Sequence, residues 1–221
     1  MTETRTRAQD KREQLLDAML PHAAFDGWTD AVMAQAAEEA ELSEGEVELY
    51  CPRGVIDVLE TWSRRMDAEA VAAIAEADIE SMRIRDRVTF CLSARLEAIG
   101  HHEEAAHRAR ARLMAPDLAA DGTRLAWNSC DAIWRAIGDV STDFNFYTKR
   151  AILFGIYTTT LGLWLNDKTE EKEVARAYLA NRIENVMQYE KAKWQVKKFT
   201  DKLPDPTGLM ARLRYGWGKR V

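Results

Sequence analysis

Apolar residues recur at every third or fourth position along most of the chain. Leu15, Leu16, Met19, Leu20 and Ala23 share one helical face, and Val55, Leu59, Trp62 and Met66 share another. Val88, Leu92, Leu96 and Ile99 repeat the spacing, as do Leu179, Ile183, Val186 and Met187. No convincing strand-like alternation interrupts them. Breakers fall between the periodic segments: "FDGW" at 25–28, "CPRG" at 51–54, "APD" at 115–117, "GDVSTD" at 138–143 and "PDPTG" at 204–208. The pattern predicts an all-α fold of nine or ten helices. The best candidate for a membrane span, Ala151 to Leu165, is uncharged but has only 15 residues. A bilayer span needs roughly 20, so the run reads as a buried core helix.

A chain of 221 residues with 47% hydrophobic and 30% charged can bury a real core. Its net charge of −5 argues against general affinity for nucleic acid, which depends on clustered Lys and Arg. Cys51, Cys91 and Cys130 stand far apart with no CxxC pair, which excludes the usual zinc and disulfide frameworks and fits a reducing cytosol. The opening "MTETRTRAQDKREQ" has no apolar core of a signal peptide.

The mean charge hides two opposed regions. Residues 1–53 run as amphipathic helix, "FDGWT", short helix and "AELSEGEVELYCPRG", with an aromatic at Tyr50. That order resembles the helix-turn-helix opening of TetR-like regulators. Charge opposes the corresponding function. From Thr29 to Tyr50 there is no Lys or Arg, while Asp30, Glu38, Glu39, Glu41, Glu44, Glu46 and Glu48 are all acidic, so the helix in the recognition position would repel phosphates. This unit is expected to pack against the rest and not to bind DNA. A helical body is expected at 54–195 and a basic amphipathic segment at 196–221.

From Lys191 to Val221 there are nine Lys or Arg against Asp201 and Asp205. A helix after Pro206 would gather Leu209, Met210 and Leu213, flank them with Arg212 and Arg214, and place Trp217 beyond. Cations around apolar anchors suit an anionic bilayer surface. The alternative is a tail whose apolar face packs on the body or on a second copy, and Gly208, Gly216 and Gly218 weaken a continuous helix.

"DAIWRAIGDVSTDFNFYTKRA", Asp131 to Ala151, gathers aromatic rings around a polar turn. Leu125, Ser129, Ile133 and Ile137 share a helical face beside Trp134, and Gly138 is a natural helix stop. Ser141, Thr142 or Asp143 is expected to cap the next helix. Lys149 and Arg150 lie near that helix's start, where positive charge opposes the dipole, so carboxylate partners are expected from Asp131 or Asp139.

With "AFDGWTDA" at 24–31, the continuation of this motif to Asp167 and "RAYLANRIENVMQYEKAK" at 176–193, the chain resembles the COQ-nine family of ubiquinone biosynthesis lipid-binding proteins, in its bacterial form. The similarity runs from about Leu15 to Lys193. The resemblance implies a TetR-like fold that does not regulate transcription, and a hydrophobic cavity for an isoprenoid quinone or related lipid. It also implies peripheral membrane attachment through a C-terminal amphipathic helix, and support for the di-iron hydroxylase that acts on demethoxyubiquinone. The family's partner-facing and lipid-access patch carries over to Asp131, Ile133, Trp134, Phe146 and Tyr147. Phe146 stands where Trp is common and Ile133 where Met occurs. Ordinary core and hairpin packing is the other reading of these rings, weaker for Phe146 and Tyr147 because grouped aromatics often mark contact surfaces.

For the lipid, the inward-facing candidates are Leu92, Leu96, Trp127, Trp134, Ile152, Ile156, Leu161 and Met187. A filled core would use the same residues, so the cavity rests on the resemblance. No catalytic constellation is found. Glu104 and His107 form one Glu-x-x-His, whereas a di-iron bundle needs that spacing twice with two further carboxylates. No metal, cofactor or enzymatic activity is therefore expected. The chain is expected to be a non-enzymatic lipid-binding accessory protein, peripheral on the inner membrane of a bacterial cytoplasm and homodimeric by analogy of fold. The alternative is a TetR-like ligand-responsive transcription regulator.

Overall fold

A computed structural model of the protein describes residues 6–142 and 144–200, with side chains apart from those of 144, 190 and 193–200. Its described elements are α1 (Arg7–Asp26), α2 (Asp30–Glu39), α3 (Glu44–Tyr50), α4 (Val55–Glu76), a 3-10 turn (Ile79–Ser81), α5 (Ile84–Glu97), α6 (Glu103–Leu113), α7 (Ala119–Ala136), α8 (Phe144–Asn166) and α9 (Glu173–Thr200). The protein is all-α, as its periodicity predicts, and no strand occurs among the described residues. The breakers at 51–54, 115–117 and 138–142 lie between helices, and that at 25–28 takes in the last two residues of α1 and the turn after it. Gly27 and Gly54 sit at φ +80° and +65°, a region costly for any residue with a Cβ, and so make the turns that end α1 and precede α4. Thr6, Thr29 and Ser43 cap α1, α2 and α3 by accepting hydrogen bonds from Gln9, Val32 and Glu46 amides.

The chain divides into two compact units, Met1–Ala180 and Asn181–Val221. In the first, α4 packs on α1, α5 and α7, α6 packs on α1, α7 and α8, and α7 packs on α8. The apolar faces read from the sequence are the buried ones: Leu15, Leu16, Met19, Leu20 and Ala23 on α1, Val55, Leu59, Trp62 and Met66 on α4, and Val88, Leu92, Leu96 and Ile99 on and just after α5. Trp28, in the turn after α1, stacks on Trp62 with ring centroids 5.2 Å apart and donates its indole N–H to the Ala105 carbonyl at 2.9 Å. These contacts tie the first turn to α4 and α6. Where α6 meets α7, a Cβ on Gly122 would lie 2.7 Å from the Leu113 carbonyl oxygen, so the missing side chain sets their approach.

The second unit contains the part of α9 beyond Ala180. Met187 is 37% exposed there. The expected membrane-facing residues Leu209, Met210, Arg212, Leu213, Arg214 and Trp217 lie outside the described residues. Among those described, no helix is long and apolar enough to cross a membrane.

Candidate functional site: an aromatic corner and an apolar cavity

The turn between α7 and α8 is organised by one buried cation. Arg150, 1% exposed, donates through Nε to Asp131 at 2.6 Å and through Nη1 to Asp139 at 3.3 Å and the Phe146 carbonyl at 3.2 Å. Its guanidinium carbon lies 3.4 Å from the centroid of the Phe146 ring, a desolvated cation–π contact. Lys149 donates to Asp139 at 2.7 Å and to Ser141 at 2.8 Å, and Trp134 donates to the Lys149 carbonyl at 3.3 Å. Both cations therefore find the carboxylates that their position at the start of α8 calls for. Gly138 ends the preceding helix at φ +87°. Ser141, one of the expected caps of α8, donates to Asp139 at 2.8 Å; Asp143, another, lies outside the described residues. Against this fixed base Tyr147 is 62% and Val140 90% exposed, while Phe146 meets Tyr147 edge-on at 5.1 Å. Ile133 is buried beneath, and Asp131 and Trp134 are half-buried.

Helices α4 to α8 line a partly open cavity of about 530 Å³. Its apolar wall includes Leu59, Trp62, Ile99, Leu113, Phe154 and Leu161, and three small residues on α6 and α7, Ala106, Ala109 and Ala126, line it where larger side chains would take up the space. The size and the mostly apolar wall suit a small apolar ligand with a few polar contacts. One part of the wall is polar. Arg95, Ser63, Ser129 and Tyr157 come together there from α5, α4, α7 and α8. Arg110, on α6, lines the cavity too, and its Nη2 lies 3.2 Å from where a Gly162 Cβ would stand.

Of the eight expected lipid-binding residues, Leu161 lines this cavity. Leu92, Leu96 and Ile156 are buried elsewhere in the core, and Trp127 and Ile152 are half-buried away from the cavity. Trp134 belongs to the corner, and Met187 to the second unit. Sequence reasoning did not assign Arg95 to the site, although a signal was present: it sits three residues after Leu92 and four before Ile99, on an otherwise apolar stripe.

Other reactive groups are quiet. Burial pushes the thiols of Cys51 and Cys91 up to about 11 and that of Cys130 to about 12, which makes poor nucleophiles of all three. No cluster of His, Cys, Asp and Glu able to hold a metal occurs among the described residues. On α3, Glu44, Glu48 and Leu49 are exposed.

Three carboxyls lie far below their ordinary values. Burial pushes Glu60 up, but hydrogen bonds from Arg124 and Arg53 outweigh it and hold the group at about 2. Burial acts likewise on Asp139, and Lys149 and Ser141 bring it to about 2. Asp167 is lowered to about 2 by the Thr169 hydroxyl and the Ala175 amide, at the start of α9. A carboxyl depressed on folding contributes stability that is complete above its unfolded value and disappears as pH falls through the folded one. Urea midpoints followed by circular dichroism should therefore hold steady down to about pH 5 and drop steeply between about pH 4.5 and 2. Asp139→Asn should lower the plateau and flatten that drop.

With cavity and corner placed, the class of protein is clear. The fold is TetR-like: a TetR transcriptional regulator from Nitrosomonas europaea superposes with a TM-score of 0.63 at 17% identity, covering 79% of this chain and 96% of that one. At that identity the likeness is one of fold. Residues 119–190, which hold α7, α8 and the aromatic corner, match the COQ9 family model. The chain is 28% identical over 209 residues to "Ubiquinone biosynthesis protein COQ9, mitochondrial" of Bos taurus, and 27% identical over 205 residues to the Homo sapiens protein of the same name. Each match covers 90% of this chain and 64% of the relative, so the chain spans just under two thirds of the relatives' length. The resemblance read from the sequence is borne out: the chain is COQ9-like over most of its length, on a TetR-like fold.

Proposed function

We propose that this protein is a non-enzymatic accessory protein of ubiquinone biosynthesis. It docks on the cytoplasmic face of a bacterial inner membrane, takes an isoprenoid quinone precursor into the cavity between α4 and α8, and presents it to the hydroxylase of the pathway. The observation that carries this reading is an apolar-walled cavity of about 530 Å³ in a COQ9-like chain. Moving an apolar tail from lipid into such a wall exchanges one apolar environment for another, so uptake and release are close to balanced. The exposed Tyr147 and Val140 of the corner offer the hydroxylase a docking surface, and the basic segment after Lys191 offers the membrane one. A homodimer follows the habit of the fold.

Organic extraction of the purified protein, followed by mass spectrometry, should recover an isoprenoid lipid. Flotation with anionic liposomes should be weakened by removing residues 204–221. An extract free of isoprenoid lipid, or equal flotation of both forms, would count against the corresponding half of the proposal. The TetR-like fold also favours a ligand-responsive regulator of transcription as a second reading. Glu44 and Glu48, exposed on α3, oppose it. Specific retardation of a DNA fragment in a low-salt gel shift would reverse the order.

A further inference from the structure

The polar part of the cavity wall is built around an arginine that is 2% exposed. Arg95 Nε donates to Asp67 at 2.5 Å, so the buried charge has its counter-ion on the side of α4. The rest of the guanidinium is poorly served. Nη1 has the Met66 thioether at 3.4 Å, and Nη2 has the Ser63 and Ser129 hydroxyls, each at 3.5 Å. Sulfur is a weak acceptor, and contacts of 3.5 Å lie at the outer limit of a hydrogen bond. Tyr157 closes the cluster, its ring centroid 5.7 Å from the Arg95 guanidinium carbon. Donors with weak acceptors therefore line a space that otherwise offers hydrocarbon. An under-used buried donor gains most from a new acceptor, because the group is already desolvated.

We infer that Arg95, with Ser63, Ser129 and Tyr157, is the head-group seat of the cavity and takes the oxygen of an uncharged carbonyl or phenol on an otherwise apolar molecule. This rests on the proposed use of the cavity for an isoprenoid lipid and specifies how that lipid lies: head toward the Arg95 cluster, tail along Leu113, Phe154 and Leu161. Charge selects the class of head. Asp67 already neutralises Arg95, so a carboxylate entering here would leave two buried anions on one cation, whereas a ketone or phenol accepts from Nη2 without adding charge. Arg110 has no ion pair or hydrogen-bond acceptor among the described residues, and it defines the competing outcome, in which an anionic head binds at α6.

Three ligands with a six-membered carbon ring and the same decyl tail separate these cases: decyl-benzoquinone, decylbenzene and 4-decylbenzoic acid, each competing with the neutral fluorophore N-phenyl-1-naphthylamine on the full chain. Decyl-benzoquinone should displace it about tenfold more strongly than decylbenzene, the scale of one satisfied buried hydrogen bond. Ser63→Ala and Ser129→Ala, which remove little volume, should narrow that ratio several-fold and leave decylbenzene unchanged. Arg95→Lys should narrow it further, provided its circular dichroism and melting remain native; the serine variants decide the matter if it does not fold. Equal displacement by quinone and hydrocarbon, or serine variants that keep the ratio, would overturn the head-group seat while leaving the cavity as a lipid site. Strongest displacement by the acid, lost in Arg110→Gln, would move the head to α6. A fluorophore that never enters, with no competitor bound by calorimetry, would remove the cavity reading and this inference with it.

Discussion

Arg150→Met is expected to lower the unfolding free energy by ~3–5 kcal/mol, the usual cost of leaving buried carboxylates without their cation. The lower part of that range is expected here. Asp131 keeps Arg135 at 2.7 Å, and Asp139 keeps Lys149 at 2.7 Å, so neither acid becomes wholly unpaired. The loss includes the stacking of Arg150 on Phe146 and its hydrogen bond to the Phe146 carbonyl, both of which fix the first turn of α8. Urea unfolding of Arg150→Met, Asp139→Asn and the double variant forms a cycle. Coupling of about 1 kcal/mol or more is expected, because the two side chains share one hydrogen-bonded network. Additive losses would mean that the corner is held by its rings and not by its charges. The consequence for function is local: with Arg150 gone, Tyr147 and Phe146 lose the base that holds them at the surface.

The corner is legible in the sequence because it carries an electrostatic problem there. Two cations near a helix start are unfavourable without acids, and Asp131 and Asp139 are the acids within reach. The helices were legible for a similar reason, since burying one stripe of each amphipathic segment leaves few arrangements open. The cavity was not. Periodicity says that Leu92, Leu96 and Ile156 face inward, but not whether another side chain fills the space opposite. Each of these three is buried, and none lines the cavity. The void comes from what is small, at Ala106, Ala109 and Ala126, and a reading weighted toward large apolar residues passes over it. Arg95 was hidden in the same way. A polar residue on an apolar stripe shows that something must satisfy it, but Asp67, Ser63 and Ser129 come from other helices and only the fold brings them near.

That contrast between filled core and open wall separates two substitutions that a sequence would class together. Ala126→Phe places a ring into the cavity from α7, and cargo binding should fall by an order of magnitude or more because the ring occupies the ligand's volume. Stability should stay level or rise, since side chains facing a void lack partner atoms on one side and the new ring supplies them. Leu92→Ala does the reverse. Leu92 is fully buried away from the cavity, so its loss should cost ~2–5 kcal/mol through lost burial and the new hole, while the affinity of the folded fraction changes little. Melting curves and fluorophore titrations of both variants read the two effects on separate axes. If Ala126→Phe keeps its cargo, the ligand sits elsewhere, and if Leu92→Ala loses it at temperatures where the chain is folded, the cavity reaches further into α5 than its present walls.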